Sequence, residues 1–228
     1  MDNQSFSQFS EDVRVLEFFG DKFTGVFLEV GANDPEFLSN TNLLERNGWH
    51  GVLIEPVPTL AKLLREQRPN SKVFEVAVSA PNSAAKGYLS IPDDGDTLAK
   101  LVFNKDLPGI VGEVDVTTID NILDQAGIQR IDFLSIDIEG AEIEALQGFS
   151  FDRYRPRLII IEDHVHDLKI HRYLASKKYK LFDRTGCNGW YIPEKAQSPI
   201  VPITSKFELF RRYFLGMPFR RLRLYFKK

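Results

Sequence analysis

The sequence predicts an α/β fold with a doubly wound parallel sheet, and three observations lead to that prediction. Apolar β-prone runs alternate with helical patterns early in the chain, at residues 26–34, 41–47, 52–56, 58–68 and 72–78. Two later β-prone runs, 131–139 and 157–163, end in acidic residues. Two short runs, 180–183 and 189–192, have the spacing of a closing antiparallel hairpin. Alternating strands and helices are typical of crossover units in one sheet, so we expect a seven-stranded α/β sheet whose last strand is reversed.

The first strand is the segment around which the other elements are arranged. Its apolar run stops at Gly31, and a glycine at this point permits the backbone to approach a ligand closely. Glu29 lies two residues earlier, where its carboxylate is placed to accept a hydrogen bond from an amino or hydroxyl group. The pattern therefore favours a nucleotide-like cofactor. The alternative is a core strand that ends in an ordinary turn.

Acidic residues also end two other strands. The second strand ends in Glu55 and Pro56, and in Rossmann-type folds an acid at this position reaches the ribose hydroxyls. We expect that role for Glu55. Asp137 ends a later strand, at the carboxyl edge where α/β sheets hold their ligands.

Two segments lie outside this regular alternation. Residues 5–19 have apolar positions at helical spacing and predict an N-terminal helix that covers the sheet away from the site. Residues 79–115 contain turn signals around short β runs, which we interpret as a hairpin insertion with a loop. That insertion forms either a wall over the substrate or a solvated surface loop.

Composition limits the class of protein. The chain has 228 residues, 43% hydrophobic and 27% charged, which suits one globular domain, assigned to residues 1–199. A net charge of −3 argues against nucleic acid as a partner. The single cysteine, Cys187, forms no internal disulfide and fits a reducing compartment. Without a leader or a spanning apolar run, we expect a cytoplasmic protein.

The C-terminal tail, residues 200–228, differs in character from the rest of the chain. Between residues 204 and 228 it carries eight Lys or Arg and one Glu, interleaved with aromatic side chains. This basic amphipathic pattern suits peripheral contact with an anionic membrane, here the inner face. The alternative is a helix packed on its own domain or on a partner subunit of a homo-oligomer.

With these motifs in view, the chain resembles the FkbM family of S-adenosylmethionine-dependent methyltransferases. The matching segments, within about residues 10–193, are 27–34, 39–45, 48–56, 76–79, 117–120 and 136–142. The resemblance implies a Rossmann-like class I methyltransferase fold. It also implies methyl transfer from S-adenosylmethionine, usually to a hydroxyl of a sugar or natural product.

The resemblance further implies a set of cofactor-binding residues. They are Glu29, Gly31, Ala32, Asn33, Asn40, Thr41, Glu55, Pro56, Ala77, Val78 and Asp137. Glu55 is expected at the ribose diol, Ala77 and Val78 at the adenine edge, and Asp137 near the methionine amino group or the transferring methyl. Residues 39–41 either close over the cofactor carboxylate or cap the next helix.

An alcohol acceptor needs a base or a metal, because a hydroxyl is a poor nucleophile near neutral pH. The first candidate is His164, just past the fifth strand of the parallel series, with His166 as the alternate base. The second is a magnesium ion held by Asp137, Glu162 and Asp163, since hard oxygen ligands suit that cation. The catalytic residues are thus expected to be His164 and Asp137.

The sequence therefore predicts an S-adenosylmethionine-dependent O-methyltransferase that acts on a small-molecule or glycan acceptor by a single in-line displacement. A nicotinamide-dependent oxidoreductase is disfavoured, because Gly31 is not followed by the other glycines of a Gly-x-Gly-x-x-Gly turn. The remaining alternative is a peripheral membrane or interaction module that binds the cofactor without turnover.

Overall fold

The computed structural model of the chain describes residues 4–20, 22–91, 99–165, 167–200, 207 and 209–216. Within these residues a seven-stranded sheet contains β1 (Val26–Val30), β2 (His50–Ile54), β3 (Ser71–Phe74), β8 (Phe133–Ile136), β9 (Leu158–Glu162), β10 (Tyr179–Thr185) and β11 (Asn188–Pro193). The strand order is β10-β11-β9-β8-β1-β2-β3. Strands β1, β2, β3, β8 and β9 run parallel, and β11 runs antiparallel to both β9 and β10. The expected doubly wound α/β fold is confirmed.

The position of β1 at the centre of the sheet fixes the site. It pairs in parallel register with β2 on one side and with β8 on the other. Every residue of β8 and β9 is buried, as is usual for parallel strands covered on both faces. The carboxyl ends of β1, β2 and β8 therefore meet at one edge, where Gly31, Glu55 and Asp137 follow the three strands.

Helices cover the two faces of the sheet and connect its strands. They are α1 (Glu11–Phe19), α2 (Asn42–Arg46), α3 (Pro58–Gln67), α4 (Ile119–Ala126), α5 (Glu142–Gln147), α6 (Phe151–Tyr154) and α7 (Lys169–Ser176). The boundaries of α4 are clear from its sequence. Thr118 Oγ1 accepts a hydrogen bond from the Asn121 backbone N–H, and Gly127 ends the helix with a φ of +68°.

A second sheet corrects one sequence-based interpretation and adds strands to another. Residues 72–78 do not form one strand, because β3 ends at Phe74 and β4 (Ala77–Val78) pairs with β7 (Ile110–Thr117) instead. The segment expected to be a hairpin and loop contains β5 (Lys86–Ser90), β6 (Lys100–Val102) and most of β7. These strands form a four-stranded sheet with the order β4-β7-β5-β6, whose core side chains pack against Val57 in the segment after β2.

The N-terminal helix covers the sheet by contacts with the terminal hairpin. Glu11 is fully buried, and its carboxylate accepts hydrogen bonds from Thr185 Oγ1 and Asn188 Nδ2, each at 2.9 Å. Arg14 forms an ion pair with the buried Asp183. The helix therefore fastens the β10–β11 hairpin to the domain.

Most of the tail, 201–206, 208 and 217–228, lies outside the described residues, so the membrane interpretation stays a prediction. Residues 211–216 form a π-helical turn, Arg211–Gly216, in which Tyr213 is buried. Arg212 Nη1 donates to the Gly186 carbonyl at 2.9 Å, so this turn packs on its own domain. Of the helices in the part of the chain that the structure describes, none has the length and apolarity needed to cross a bilayer.

Candidate active site

A cavity of about 240 Å³ opens at the carboxyl edge of β1, β2 and β8. Ten of the eleven residues predicted to bind the cofactor line it: Glu29, Gly31, Ala32, Asn33, Asn40, Glu55, Pro56, Ala77, Val78 and Asp137. Their roles in binding stay predictions, but the fold brings them to one place. Thr41 is the exception, because it is fully buried outside the cavity wall.

The turn after β1 requires glycine for two reasons. Gly31 has a φ of +82°, in the left-handed region that disfavours other residues, and a side chain there would collide with the carbonyl oxygen of Asp137. The N–H groups of Gly31 and Ala32 both donate to the Ile54 carbonyl, at 2.9 and 3.1 Å. This turn therefore brings the ends of β1, β2 and β8 into direct contact.

Glu55 is held rigidly at the end of β2. Its Oε2 accepts a hydrogen bond from the Asn33 N–H and its Oε1 accepts one from the Val57 N–H, both at 2.8 Å. The residue is 4% exposed, and burial raises the pKa of its carboxyl group, although the two N–H groups lower it in part. Each carboxylate oxygen keeps a lone pair, so the pair of oxygens is oriented to accept from a diol.

Glu29 holds the loop that precedes α2. Its carboxylate accepts hydrogen bonds from the Asn40 N–H at 3.0 Å and from Thr41 Oγ1 at 2.6 Å. Burial raises the pKa of Glu29, and the nearby charge of Arg68 opposes that rise. Glu29 thus lines the cavity, but two of its contacts are structural.

The 39–41 segment forms the turn that leads into α2, and its role at the cofactor carboxylate stays a prediction. Ser39 Oγ accepts from the backbone N–H groups of Thr41 and Asn42, at 3.3 and 3.1 Å, so Ser39 stabilises the turn before α2. Thr41 Oγ1 lies between Glu29 and the guanidinium of Arg68, from which it accepts at 2.9 Å. Asn40 lines the cavity and donates from Nδ2 to Ser135 Oγ at 3.0 Å.

Three carboxyl groups meet at the other end of the cavity edge. Asp137, Glu139 and Glu162 have carboxylate oxygens within 4.8 Å of one another. Asp137 is exposed as a whole residue, yet protein atoms around its carboxyl group remove much of its hydration. That desolvation, together with the negative charges of Glu162 and Glu139, raises the pKa of Asp137 to about 8.

Glu162 links this cluster to the predicted base. Burial raises the pKa of Glu162, but the hydrogen bond and charge of His164, with further hydrogen bonds from Asp137 and Cys187, bring it below its ordinary value. His164 Nε2 lies 3.2 Å from Glu162 Oε1, and this contact raises the pKa of the imidazole. At neutral pH Asp137 is therefore mainly protonated and Glu162 ionised.

The structure corrects two details of the catalytic prediction. His164 does not line the cavity, and its side chain is 56% exposed. Its imidazole contacts Glu162, which is hydrogen-bonded to Asp137 in the cavity wall. Asp163 does not join the acids, because its carboxylate accepts from the Val165 N–H at 2.6 Å and from Tyr213 Oη at 3.1 Å. Its place as the third acid is taken by Glu139. His166 lies outside the described residues.

Sequence reasoning missed three contributors to the site. Glu139 follows Asp137 by two residues, and the acidic Asp-x-Glu spacing was the available signal. The helical pattern of residues 58–68 places Arg68 on the polar face, yet Arg68 is 2% exposed and forms an ion pair with Glu45 at 2.7 Å. The adjacent pair Phe37 and Leu38 lines the cavity although no periodic pattern marks it.

Comparison with known proteins is consistent with this geometry. The profile described as "Methyltransferase FkbM domain" matches residues 29–181, more than half of the chain. No curated protein matches the chain.

Solved structures were also compared with the chain, and the first of them shares its fold. An FkbM methyltransferase from Methylobacillus flagellatus KT is 19% identical with a TM-score of 0.51, and the match covers 74% of this chain and 43% of that one. The chain thus spans less than half the length of that protein. The METTL16 methyltransferase domain is 10% identical with a TM-score of 0.49, and the match covers 82% of this chain and 67% of that one.

The expected resemblance is confirmed by the profile, which covers the Gly31 turn, Glu55 and Asp137. The seven-stranded sheet and the edge at which the cavity opens agree with a class I methyltransferase fold. This chain belongs to the FkbM methyltransferase family.

Proposed function

We propose that the chain transfers a methyl group from S-adenosylmethionine to a hydroxyl of a sugar, glycoconjugate or natural product. The observation that carries the proposal is the oriented carboxylate of Glu55, buried at the end of β2 and facing the same cavity as the Gly31 turn. A buried carboxylate with both oxygens fixed by backbone N–H groups is suited to a ribose diol.

The remaining lining fits a sulfonium nucleoside in its chemistry. The apolar side chains of Val57, Leu60, Ala77 and Val78 offer a surface for a flat base. Carboxyl groups at Glu29 and Asp137 lie along the edge where a positively charged sulfonium group requires negative or polar neighbours. When bound, the cofactor supplies an electrophilic methyl group, and the protein chiefly excludes water and aligns the acceptor.

The acceptor proton leaves through the chain of groups Asp137, Glu162 and His164. Asp137 lines the cavity and is hydrogen-bonded to Glu162, which in turn contacts His164 at 3.2 Å. When the imidazole of His164 is neutral, a proton taken up by one oxygen of Asp137 displaces the proton on its other oxygen to Glu162, and Glu162 passes that proton to the free nitrogen of the ring. A hard cation held by Asp137, Glu139 and Glu162 is the alternative route to deprotonation.

Calorimetry with S-adenosylhomocysteine and S-adenosylmethionine on the full chain tests the cofactor. We expect one site per chain for both compounds. Transfer of tritium from methyl-labelled S-adenosylmethionine to alkyl glucosides then tests turnover. Binding of both cofactor forms without transfer to any hydroxyl acceptor would favour the non-catalytic membrane or interaction module, with the protein acting at the cytoplasmic membrane face through its basic tail.

A further inference from the structure

The cavity has a wall that the proposed cofactor contacts leave unassigned. This apolar wall consists of Phe37, Leu38, Ile91, Ala99 and Leu101. Phe37 and Leu38 belong to the loop after β1, whereas the other three belong to the β5–β6 region of the second sheet. Two segments far apart in sequence thus contribute apolar side chains to one cavity.

Much of the apolar wall is open to water. Phe37 is 72% exposed, Leu38 44% and Ile91 36%. Burial of apolar surface stabilises a protein by about 25 cal/mol per Å² removed from water, and these exposed side chains do not contribute that free energy. Clusters of such side chains beside a cavity mark binding surfaces in soluble proteins.

The backbone presents this wall at the cost of local strain. Leu38 has a φ of +63°, in the left-handed region that a leucine rarely adopts. The loop is held from behind, since Arg68 Nη1 donates to the Pro35 carbonyl and to Ser39 Oγ, each at 3.3 Å. A fixed and strained conformation that exposes leucine indicates a functional requirement at this position.

The chemistry of the wall restricts what lies against it. None of its five side chains carries a hydrogen-bonding atom, so a bare sugar placed there would lose its water contacts without replacement. Each unsatisfied hydroxyl costs about 1–3 kcal/mol. The polar lining groups Asp137 and Glu139, which the cofactor ribose does not use, face the same cavity from the sheet edge. The acceptor therefore needs a polar head and an apolar body.

The sequence of the tail favours an aliphatic body from a lipid. Apart from Arg212 and Tyr213, which pack on the domain, residues 204–228 contain seven basic and six aromatic residues, a composition that suits an anionic lipid surface. We propose that the acceptor is a lipid-linked alcohol, an inference that rests on the proposed function. Its aliphatic chain lies on the apolar wall, and its hydroxyl faces Asp137.

The test compares octyl β-glucoside, below its micelle concentration, with methyl β-glucoside by calorimetry on the full chain saturated with S-adenosylhomocysteine. We expect the octyl compound to bind at least tenfold more tightly. Phe37→Ser and Leu38→Asn should each weaken octyl glucoside at least fivefold and leave S-adenosylhomocysteine affinity within twofold. Asparagine tolerates the left-handed conformation of Leu38, so that variant removes the apolar side chain without adding strain.

Phe103→Ser is the matched control, because Phe103 is 50% exposed in the same region but does not line the cavity. Equal affinity for the two glucosides, no binding of the octyl compound, or an equal loss in Phe103→Ser would overturn the inference. So would a fall in S-adenosylhomocysteine affinity in Phe37→Ser, since the wall would then serve the cofactor. Absence of any S-adenosylhomocysteine binding in the unmodified chain would instead refute the proposed function, and the glucosides are then compared on the unliganded protein.

Discussion

Tyr213 donates a hydrogen bond from its phenol to Asp163 Oδ2 at 3.1 Å, across 50 residues of sequence. The other oxygen of Asp163 accepts from the Val165 N–H at 2.6 Å, a bond that spans His164. Val165 is buried with a φ of +53°, which a β-branched residue rarely adopts. The C-terminal turn thus fixes the loop that carries the predicted base.

The first prediction concerns Tyr213→Phe. Loss of the phenol hydrogen bond should loosen the loop and weaken the contact between His164 and Glu162. Because that contact raises the pKa of His164, the variant should lower it toward the ordinary value of 6.5. Histidine-resolved NMR titration measures the change. Phe207→Leu, an exposed change in the same segment, is the control; an unchanged His164 pKa in Tyr213→Phe would contradict the prediction.

The second prediction concerns the buried ion pair of Arg68 and Glu45. Arg68→Met leaves Glu45 without its cation and Thr41 without a donor, so it should lower the free energy of unfolding by about 3–5 kcal/mol. Urea unfolding measures the loss. Arg65→Met is the matched control on the same helix, since Arg65 pairs with an exposed Glu75 and should cost less than about 1 kcal/mol. Similar losses in both variants would show that burial of Arg68 is not the cause.

The third prediction concerns cofactor affinity. In Glu55→Gln the amide nitrogen must face one of the two backbone N–H groups, so the side chain loses an acceptor and its fixed orientation. We expect the dissociation constant for S-adenosylhomocysteine to rise at least tenfold, about 1.4 kcal/mol. Glu75→Gln, on the surface, should have no effect. Retention of full affinity in Glu55→Gln would remove Glu55 from the ribose site.

The fourth prediction concerns the pH dependence of stability. The pKa of Asp137 is about 8 in the folded protein and near 3.8 when unfolded, so the folded state binds the proton more tightly between these values. Its contribution to stability is therefore present below about pH 4 and is lost as pH rises through 8. Asp137→Asn should melt at a higher temperature than the unmodified protein at pH 8, with a smaller difference at pH 5.

Melting curves for Asp106→Asn provide the comparison, because Asp106 is an exposed aspartate outside the carboxyl cluster. That variant should follow the unmodified protein at both pH values. A constant offset for Asp137→Asn across the range would mean that its proton is not linked to folding.

The fifth prediction separates the two routes for the acceptor proton. If His164 is the terminal base, methyl transfer should survive dialysis against a chelator, and His164→Ala should lower turnover while leaving S-adenosylhomocysteine affinity intact. The opposite result would be a loss of methyl transfer on chelator dialysis that added magnesium reverses. If magnesium fails to restore activity in Glu139→Gln, the step is assigned to a cation on the three carboxyl groups.

Several features of the site were predictable because they depend on neighbouring residues in sequence. A strand that ends in glycine, or in an acid, places that residue at the carboxyl edge whenever the strand is parallel. Gly31, Glu55 and Asp137 were all located in this way. The cap at Thr118 and the glycine at 127 are equally local.

Other features were not predictable, because they depend on contacts between distant segments. Asp163 follows Glu162 directly, yet its carboxylate goes to Val165 and Tyr213 rather than to the acids of the cavity. The prediction of one strand over residues 72–78 was wrong, because β4 pairs with β7, nearly forty residues later along the chain. Periodicity carries no information about such pairing.

By itself, the sequence determined the α/β class, the strand that carries Gly31 and the identity of the acids at the sheet edge, since these follow from hydrophobic periodicity and from residues within a few positions of one another. Only the tertiary structure decided that Glu139 completes the acid cluster, that His164 contacts Glu162, and that Phe37 and Leu38 share a wall with the second sheet. The reason is physical: strand pairing and burial bring together side chains whose separation along the chain bears no relation to their distance in space.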